Sequence, residues 1–329
     1  MENQQTAPKQ EESKREYKIR NWSQYNKALI KRGDINVWIS DDADKSWYSE
    51  EKTGKKGRPA YYSDHLILTA LMIRGVFHLP LRALEGFMSS MAVMLKVAMP
   101  VPSYSQISRR SGSLGESIKR LQQGGGTDLV IDSTGLKIYG EGEWKVKKHG
   151  SSKRRTWKKL HLAVCPKTHS IVMQVLTDNA TDDAEVYTTF LENAPKSVER
   201  TYADGAYDKK KCYEAAAKHG SNPIIPPRRN AVITENAPAY IKPRDKACKE
   251  IEEAGGGEEG LKAWKKSSGY HTRSLVETAM GRFKQLLGGN LRSRKLSTQQ
   301  GEIAAKCHAL NIMTSLGMPE GEWIIAKAA

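Results

Sequence analysis

The stretch TDLVIDSTGLKIYG, residues 127–140, decides the fold class. An apolar run leads to Asp132, the small residues Ser133-Thr134-Gly135 suggest a turn, and a second strand follows. A carboxylate inside an apolar strand is costly to bury unless a cation or a metal compensates it, although Asp132 also suits a plain turn former. Downstream, KLHLAVCPKTHSIVMQVLTD (159–178) reads as a strand, a Pro-centred turn and a strand. DDAEVYTTFLENA (182–194) reads as a helix capped by Asp182 or Asp183, and VERTYADGAYD (198–208) as a short strand ending at Asp204. KKKCYEAAAKHG (209–220) is a helix with a glycine stop, and NPIIPP (222–227) another strand. Antiparallel strands followed by alternating helix and strand predict an α/β fold with a mixed sheet.

Upstream the texture is helical. Residues 1–20 are polar and expected to be disordered. A short helix is expected over residues 22–32, then a basic linker, residues 52–62, centred on Gly57-Arg58-Pro59. Arg58 there suits a narrow minor groove, and a charged linker is the plain alternative. Two amphipathic helices follow from Asp64 to Leu95, broken at Leu79-Pro80, with Ser63 and Pro80 as starts. PVPSYSQISRRS (100–111) opens a third helix with Ser103 or Ser105 as cap. The arrangement has a helix-turn-helix flavour in which Gln106, Arg109 and Arg110 would face base edges, and a three-helix packing unit is the alternative. Gly124-Gly125-Gly126 is a hinge. Residues 228–268 break the helix–strand alternation, and EEAGGGEEG (252–260) is low in complexity, so this segment reads as an insertion. A basic loop and a last amphipathic helix are expected over 290–316.

The 329 residues carry 53 Lys+Arg against 37 Asp+Glu, a net charge of +16, which favours a polyanionic partner. Apolar stretches fall far short of the ~20 residues of a membrane span. The N-terminus has no apolar core of a secretory signal. Cys165, Cys212, Cys248 and Cys307 are dispersed, which suits reduced thiols in a cytoplasmic setting and argues against zinc.

Two further segments carry candidate chemistry. GYHTRSLVETAMGRFKQLLG (269–288) places Tyr270, Arg273, Glu277 and Lys284 on one narrow helical face at about 100° per residue. Leu275, Val276, Ala279, Phe283, Leu286 and Leu287 lie on the opposite side, toward a core. A solvated face with an Arg273–Glu277 pair is the ordinary reading. If the strands of Asp132 and Asp204 are neighbours, and this helix crosses the sheet edge, the three carboxylates could hold two divalent ions about 4 Å apart. Asp208, one turn beyond Asp204, is the rival second ligand; Asp178 and Asp182 read as caps or supporting groups. WKVKKHGSSKRRTWKKLH (144–161) holds eight Lys/Arg and no acid. It would project as a basic hairpin, with Lys153, Arg154, Arg155 and Lys158 on DNA backbone, or else as a solvated loop.

The spacing Tyr270-x2-Arg273-x3-Glu277-x6-Lys284, with VIDSTG around Asp132 and ADGAYD around Asp204, resembles the DDE transposases of bacterial insertion sequences. GRPAYYSD and LPLRALEGF resemble the insertion-sequence-five family among them. The likeness spans roughly residues 20–315. It implies a ribonuclease H-like catalytic domain over 127–227 and 269–316, interrupted by the 228–268 insertion, behind a helical DNA-binding domain over 21–123. It implies Asp132, Asp204 and Glu277 as catalytic ligands of two Mg²⁺ ions, with Mn²⁺ as a substitute. Tyr270, Arg273 and Lys284 would contact DNA. Partners would be double-stranded DNA, as terminal inverted repeats and target, and a second copy in a synaptic homodimer; no membrane and no small-molecule substrate are expected. A bacterial, nucleoid-associated location follows. A catalytically silent DNA-binding regulator and a simple nuclease are the other readings.

Overall fold

A computed structural model describes residues 15–39, 47–49, 61–94, 100–117, 126–138, 157–234 and 236–325. Strand β1 (Arg15–Ile19) and helix α1 (Trp22–Lys31) come first, then α2 (Asp64–Val76), α3 (Leu81–Met94) and α4 (Tyr104–Ser117). Ser63 caps α2 by accepting the Leu66 amide, and α3 starts directly after Pro80 at 110° to α2. Ser103 and Gln106 form a reciprocal capping box on α4: the Gln106 amide donates to Ser103 Oγ and the Ser103 amide to Gln106 Oε1.

The middle of the chain runs β2 (Asp128–Ile138), β3 (Trp157–Val164), β4 (Ile171–Asp178), α5 (Asp183–Asn193), β5 (Arg200–Tyr202), α6 (Lys210–His219) and β6 (Asn222–Ile224). After it come α7 (Lys242–Glu253), α8 (Gly257–Ser267), α9 (Ser274–Leu287), β7 (Asn290–Leu291), α10 (Leu296–Leu316) and β8 (Gly321–Ile325). The sheet order is β4-β3-β2-β5-β6, with β7 also on β2. β2, β3 and β4 pair antiparallel; β5, β6 and β7 run parallel to their neighbours, which makes the sheet mixed.

Side chains alternate between the two sheet faces. Val130, Leu136, Leu160 and Leu162 join Phe283, Ile303 and Leu310 in one core; Leu129, Ile131 and Ala163 join Tyr187, Phe190 and Tyr213 in the other. Fully burying a Leu or Phe of this kind contributes about 1.5–3 kcal/mol.

Several sequence expectations change. No turn occurs at Ser133-Thr134-Gly135: β2 is one strand of 11 residues whose ladder to β3 is continuous from Val130 to Lys137. Gly135 pairs with Lys159 inside that ladder, and a Cβ there would make an ordinary contact with the Trp157 ring at 3.4 Å. Residues 15–19, expected within a disordered tail, pair with 321–325, a partner no local signal reveals. α10 is not amphipathic: eight residues, Gln299 and Gly301–Cys307, are buried on all its sides. It packs against β4, α2 and α4, so Leu66, Ile73, Ile107 and Leu114 of the N-terminal helices share one core with the sheet. At the α4–α10 crossing a Cβ on Gly301 would sit 1.9 Å from the Ser111 carbonyl oxygen.

Candidate active site

β2 and β5 are parallel neighbours, with Val130 opposite Tyr202. Two residues further along each chain stand Asp132 and Asp204, so the register itself brings the two acids side by side. Asp132 is almost fully buried, and one carboxylate oxygen accepts its neighbour's amide, Ser133 N, at 2.7 Å. Asp204 lies just past the end of β5 and caps a short 3-10 turn, Gly205–Tyr207, accepting the Ala206 amide at 2.8 Å.

The third acid arrives from the other end of the chain. The helix expected over 269–288 is two elements: a 3-10 turn, Tyr270–Arg273, and then α9. Val276, Ala279, Met280, Phe283 and Leu287 face the core, and Gly288, at φ +84°, ends the helix. Glu277 and Lys284 are exposed on the outer face.

Arg273 joins the constellation. Its guanidinium donates to Asp132 Oδ2 at 2.8 Å and to Glu277 Oε1 at 2.6 Å, and lies 3.8 Å from Asp204 Oδ2. Burial lowers the guanidinium pKa, but Asp132, Tyr270 and Glu277 more than reverse this, and the net shift is upward. Burial raises the Asp132 carboxyl above its ordinary value; the Ser133 amide and Arg273 oppose this, while Asp204 and Glu277 add to it. Tyr270 sits half-buried against Trp264, ring centroids 6.0 Å apart, and its phenol is pushed up to about 12 by burial, with Arg273 opposing and Asp204, Asp132 and Glu277 adding to the rise. Three carboxylates against one guanidinium leave two negative charges uncompensated.

That donor set consists of hard oxygens, the kind that hold Mg²⁺ or Mn²⁺. Among the described residues no three acids, histidines or cysteines are drawn together at ligating distance; Asp132, Asp204 and Glu277 converge on the Arg273 guanidinium. The guanidinium marks where a cation sits between these acids, and in that sense they fit a divalent ion.

Asp208 is not placed to compete for such an ion. Its carboxylate is fully buried and accepts from the Tyr213 hydroxyl at 2.9 Å, the Arg228 amide at 2.8 Å and Arg244 Nε at 3.0 Å. Arg244 belongs to α7, inside the segment read only as an insertion, and no local pattern signals its pairing. Asp182 caps α5 and accepts from Lys209 and Lys211, whose hydrogen bonds hold its carboxyl far below the usual range. Asp178 pairs with Lys158 across β3 and β4.

The other expected DNA contacts divide. Gln106 makes its capping box, and Arg110 donates to Tyr62 O and to Asp64 at the start of α2. Arg109 is exposed. Lys158 is held by Asp178 rather than projecting. Arg58, Lys153, Arg154 and Arg155, and with them the basic linker to residue 60 and the hairpin from 139 to 156, lie outside the described residues.

Two family models, both described as a transposase DDE domain, match the chain, one over residues 30–141 and the other over residues 123–312, more than half of its length. A solved structure, a cryo-EM structure of a piggyBac transposase synaptic complex with hairpin DNA, superposes with a TM-score of 0.39 at 11% identity, covering 91% of this chain and 77% of that chain.

Proposed function

The chain belongs to the transposase DDE domain family, and from that membership we propose an insertion-sequence transposase. It binds the terminal inverted repeats as a homodimer, cuts the ends by metal-assisted phosphodiester hydrolysis, and joins the 3′-hydroxyl ends to target DNA. In this reading the sheet is a ribonuclease H-like core, and the helices of residues 61–117 contribute to DNA binding.

The observation that carries the chemistry is the convergence of Asp132, Asp204 and Glu277 on the Arg273 guanidinium. Mg²⁺ held by these acids would lower the pKa of the attacking oxygen and take up charge on the leaving oxygen. The protein's own groups do the rest. Asp132 and Asp204 are fixed by backbone amides, so their oxygens need little reorganisation. Lys284, two turns along α9 from Glu277, holds a phosphate as a point charge. Arg273 presents a fork that matches a phosphate, available once the acids no longer occupy it. Tyr270 stacks on an unpaired base or donates to a phosphate.

The test is nicking and joining of end-containing DNA in Mg²⁺, with Asp132→Ala, Asp204→Ala and Glu277→Ala alongside. Each variant should still bind the ends and yield no product. Cleavage that survives Asp132→Ala removes the ligand assignment; end binding without cleavage by the unaltered protein points to a DNA-binding regulator.

A further inference from the structure

α9 carries Glu277 near its start, and at its other end the chain lines a cavity of about 90 Å³. Its walls include Arg74 and His78 from the end of α2, Arg292 after β7, and Glu302 and Lys306 from α10. Three cations meet one acid there, and that acid is already satisfied. Glu302 accepts the Arg292 amide at 3.1 Å and the Ser293 amide at 2.9 Å, and Lys306 Nζ neutralises it at 3.1 Å. Lys306 completes its bonding on the Asn290 carbonyl at 3.1 Å.

The two guanidinium groups are therefore surplus to the internal balance. Arg74 Nε is buried without a hydrogen-bond partner, an arrangement that costs free energy unless something arrives to accept from it. Burial lowers the Arg74 pKa, with Glu302 opposing and Arg292 adding to the fall. Arg292 is exposed at the mouth, held by the carbonyl of His78 at 2.8 Å, and His78 itself takes the left-handed backbone at φ 55°. Such a conformation in a non-glycine residue is a local cost that shapes the rim. Exposed Arg294 and Lys295 continue the basic edge.

The cavity is small, carries two net positive charges and is walled by two guanidinium groups. Those properties select a compact oxyanion, and Arg is the side chain whose fork matches a phosphate. Its position names the source. From Glu277 to the Gly288 cap is eleven residues, about 16 Å at 1.5 Å per residue. Lys284 lies between, its Cγ 3.7 Å from where a Cβ on Gly289 would be. With about 3.4 Å of rise per phosphate along one strand, that distance spans about five nucleotides.

We propose that this cavity is a phosphate subsite in which Arg74 and Arg292 hold one backbone phosphate of the bound DNA, about five nucleotides from the acids. It rests on the DNA-cleaving reading above and adds contacts that the Tyr-Arg-Glu-Lys helix does not supply.

The experiment measures affinity for end DNA against salt for the intact chain, Arg74→Gln and Arg292→Gln. The Glu302–Lys306 pair survives in both variants, and Arg292→Gln, on the exposed rim, serves if Arg74→Gln fails to fold. Each variant should bind several-fold more weakly, with a log–log salt slope shallower by about one. A single neutral methylphosphonate moved along the strand should weaken the intact protein at one position about five nucleotides from the cut and add nothing to Arg74→Gln. Folded variants with unchanged affinity and slope overturn the proposal, even if cleavage by the intact protein proceeds. Inorganic phosphate that raises the Tm of the intact chain but not of Arg74→Gln, with DNA binding untouched, shows a free-anion site and overturns the backbone assignment. Failure of the intact protein to bind DNA removes this proposal and the functional reading together.

Discussion

Arg273 donates to Asp132 across 141 residues of sequence, at 2.8 Å, and the same guanidinium reaches Glu277 at 2.6 Å. The pair is partly buried, so it is screened less than a surface ion pair. Arg273 thus serves as the counter-cation of the acids. Replacing it with Gln leaves three carboxylates facing one another and should cost about 2 kcal/mol without added metal, a fall in Tm of roughly 3 °C for a chain of 329 residues. Added Mg²⁺ should then raise the Tm of Arg273→Gln by more than that of the unaltered chain. Thermal unfolding with and without Mg²⁺ checks this; equal melting of the two proteins in both conditions would remove the counter-cation role.

Asp208 and Arg244 tie the second acid's turn to α7 through a carboxylate with three donors. Truncating one partner of a buried charge pair typically costs about 3–5 kcal/mol. Asp208→Ala and Arg244→Ala should therefore both shift the urea midpoint strongly downward. A metal ligand would behave differently: Asp208→Ala would keep its stability and lose only cleavage.

The period-2 and period-3.6 patterns made β3, β4, α5, α6 and the core face of α9 legible, because each is encoded by residues close in sequence. The acids were legible for the same reason: Asp132 sits in an apolar strand and Asp204 at the end of another. Elements held by distant partners were not. β1 exists because β8 pairs with it, and the core that the N-terminal helices share with the sheet forms because α10 packs against α2, α4 and β4. Gly135 read as a turn because glycine punctuates a strand pattern locally, and the ladder that carries β2 straight through it depends on β3, a strand distant in sequence. Arg273 read as a DNA contact on its helix face, and its bond to Asp132 depends on a tertiary meeting that no spacing encodes.

His161 on β3 is fully buried beside Asp183 and Lys159 and bonds Thr177 at 2.9 Å. Burial lowers its pKa from 6.5 to about 4, with Asp183 opposing and Lys159 adding to the fall. The unfolded chain takes up this proton below 6.5 and the folded chain only near 4, so stability falls as pH drops through that window. At about 1.36 kcal/mol per unit the loss reaches about 3 kcal/mol. Urea titrations from pH 7 to 4 should show that decline, and His161→Gln should flatten it. A decline of unchanged size in His161→Gln assigns the acid sensitivity to other groups.

Gly301 lets α4 and α10 touch, since a Cβ there would meet the Ser111 carbonyl oxygen at 1.9 Å. The obstacle is backbone, so the clash cannot be relieved by turning a side chain, and α4 must move as a body. Gly301→Ala should cost at least the ~1–3 kcal/mol of core overpacking and should expose the N-terminal helices to limited proteolysis. Gly281, mid-helix in α9 with nothing within 4 Å of a built Cβ, is the control. Alanine there should stabilise by about 0.5–1 kcal/mol through the lost backbone entropy of glycine. If Gly301→Ala melts with the unaltered chain while Gly281→Ala behaves as stated, the helices of residues 61–117 do not depend on α10, and the shared core is not what holds them.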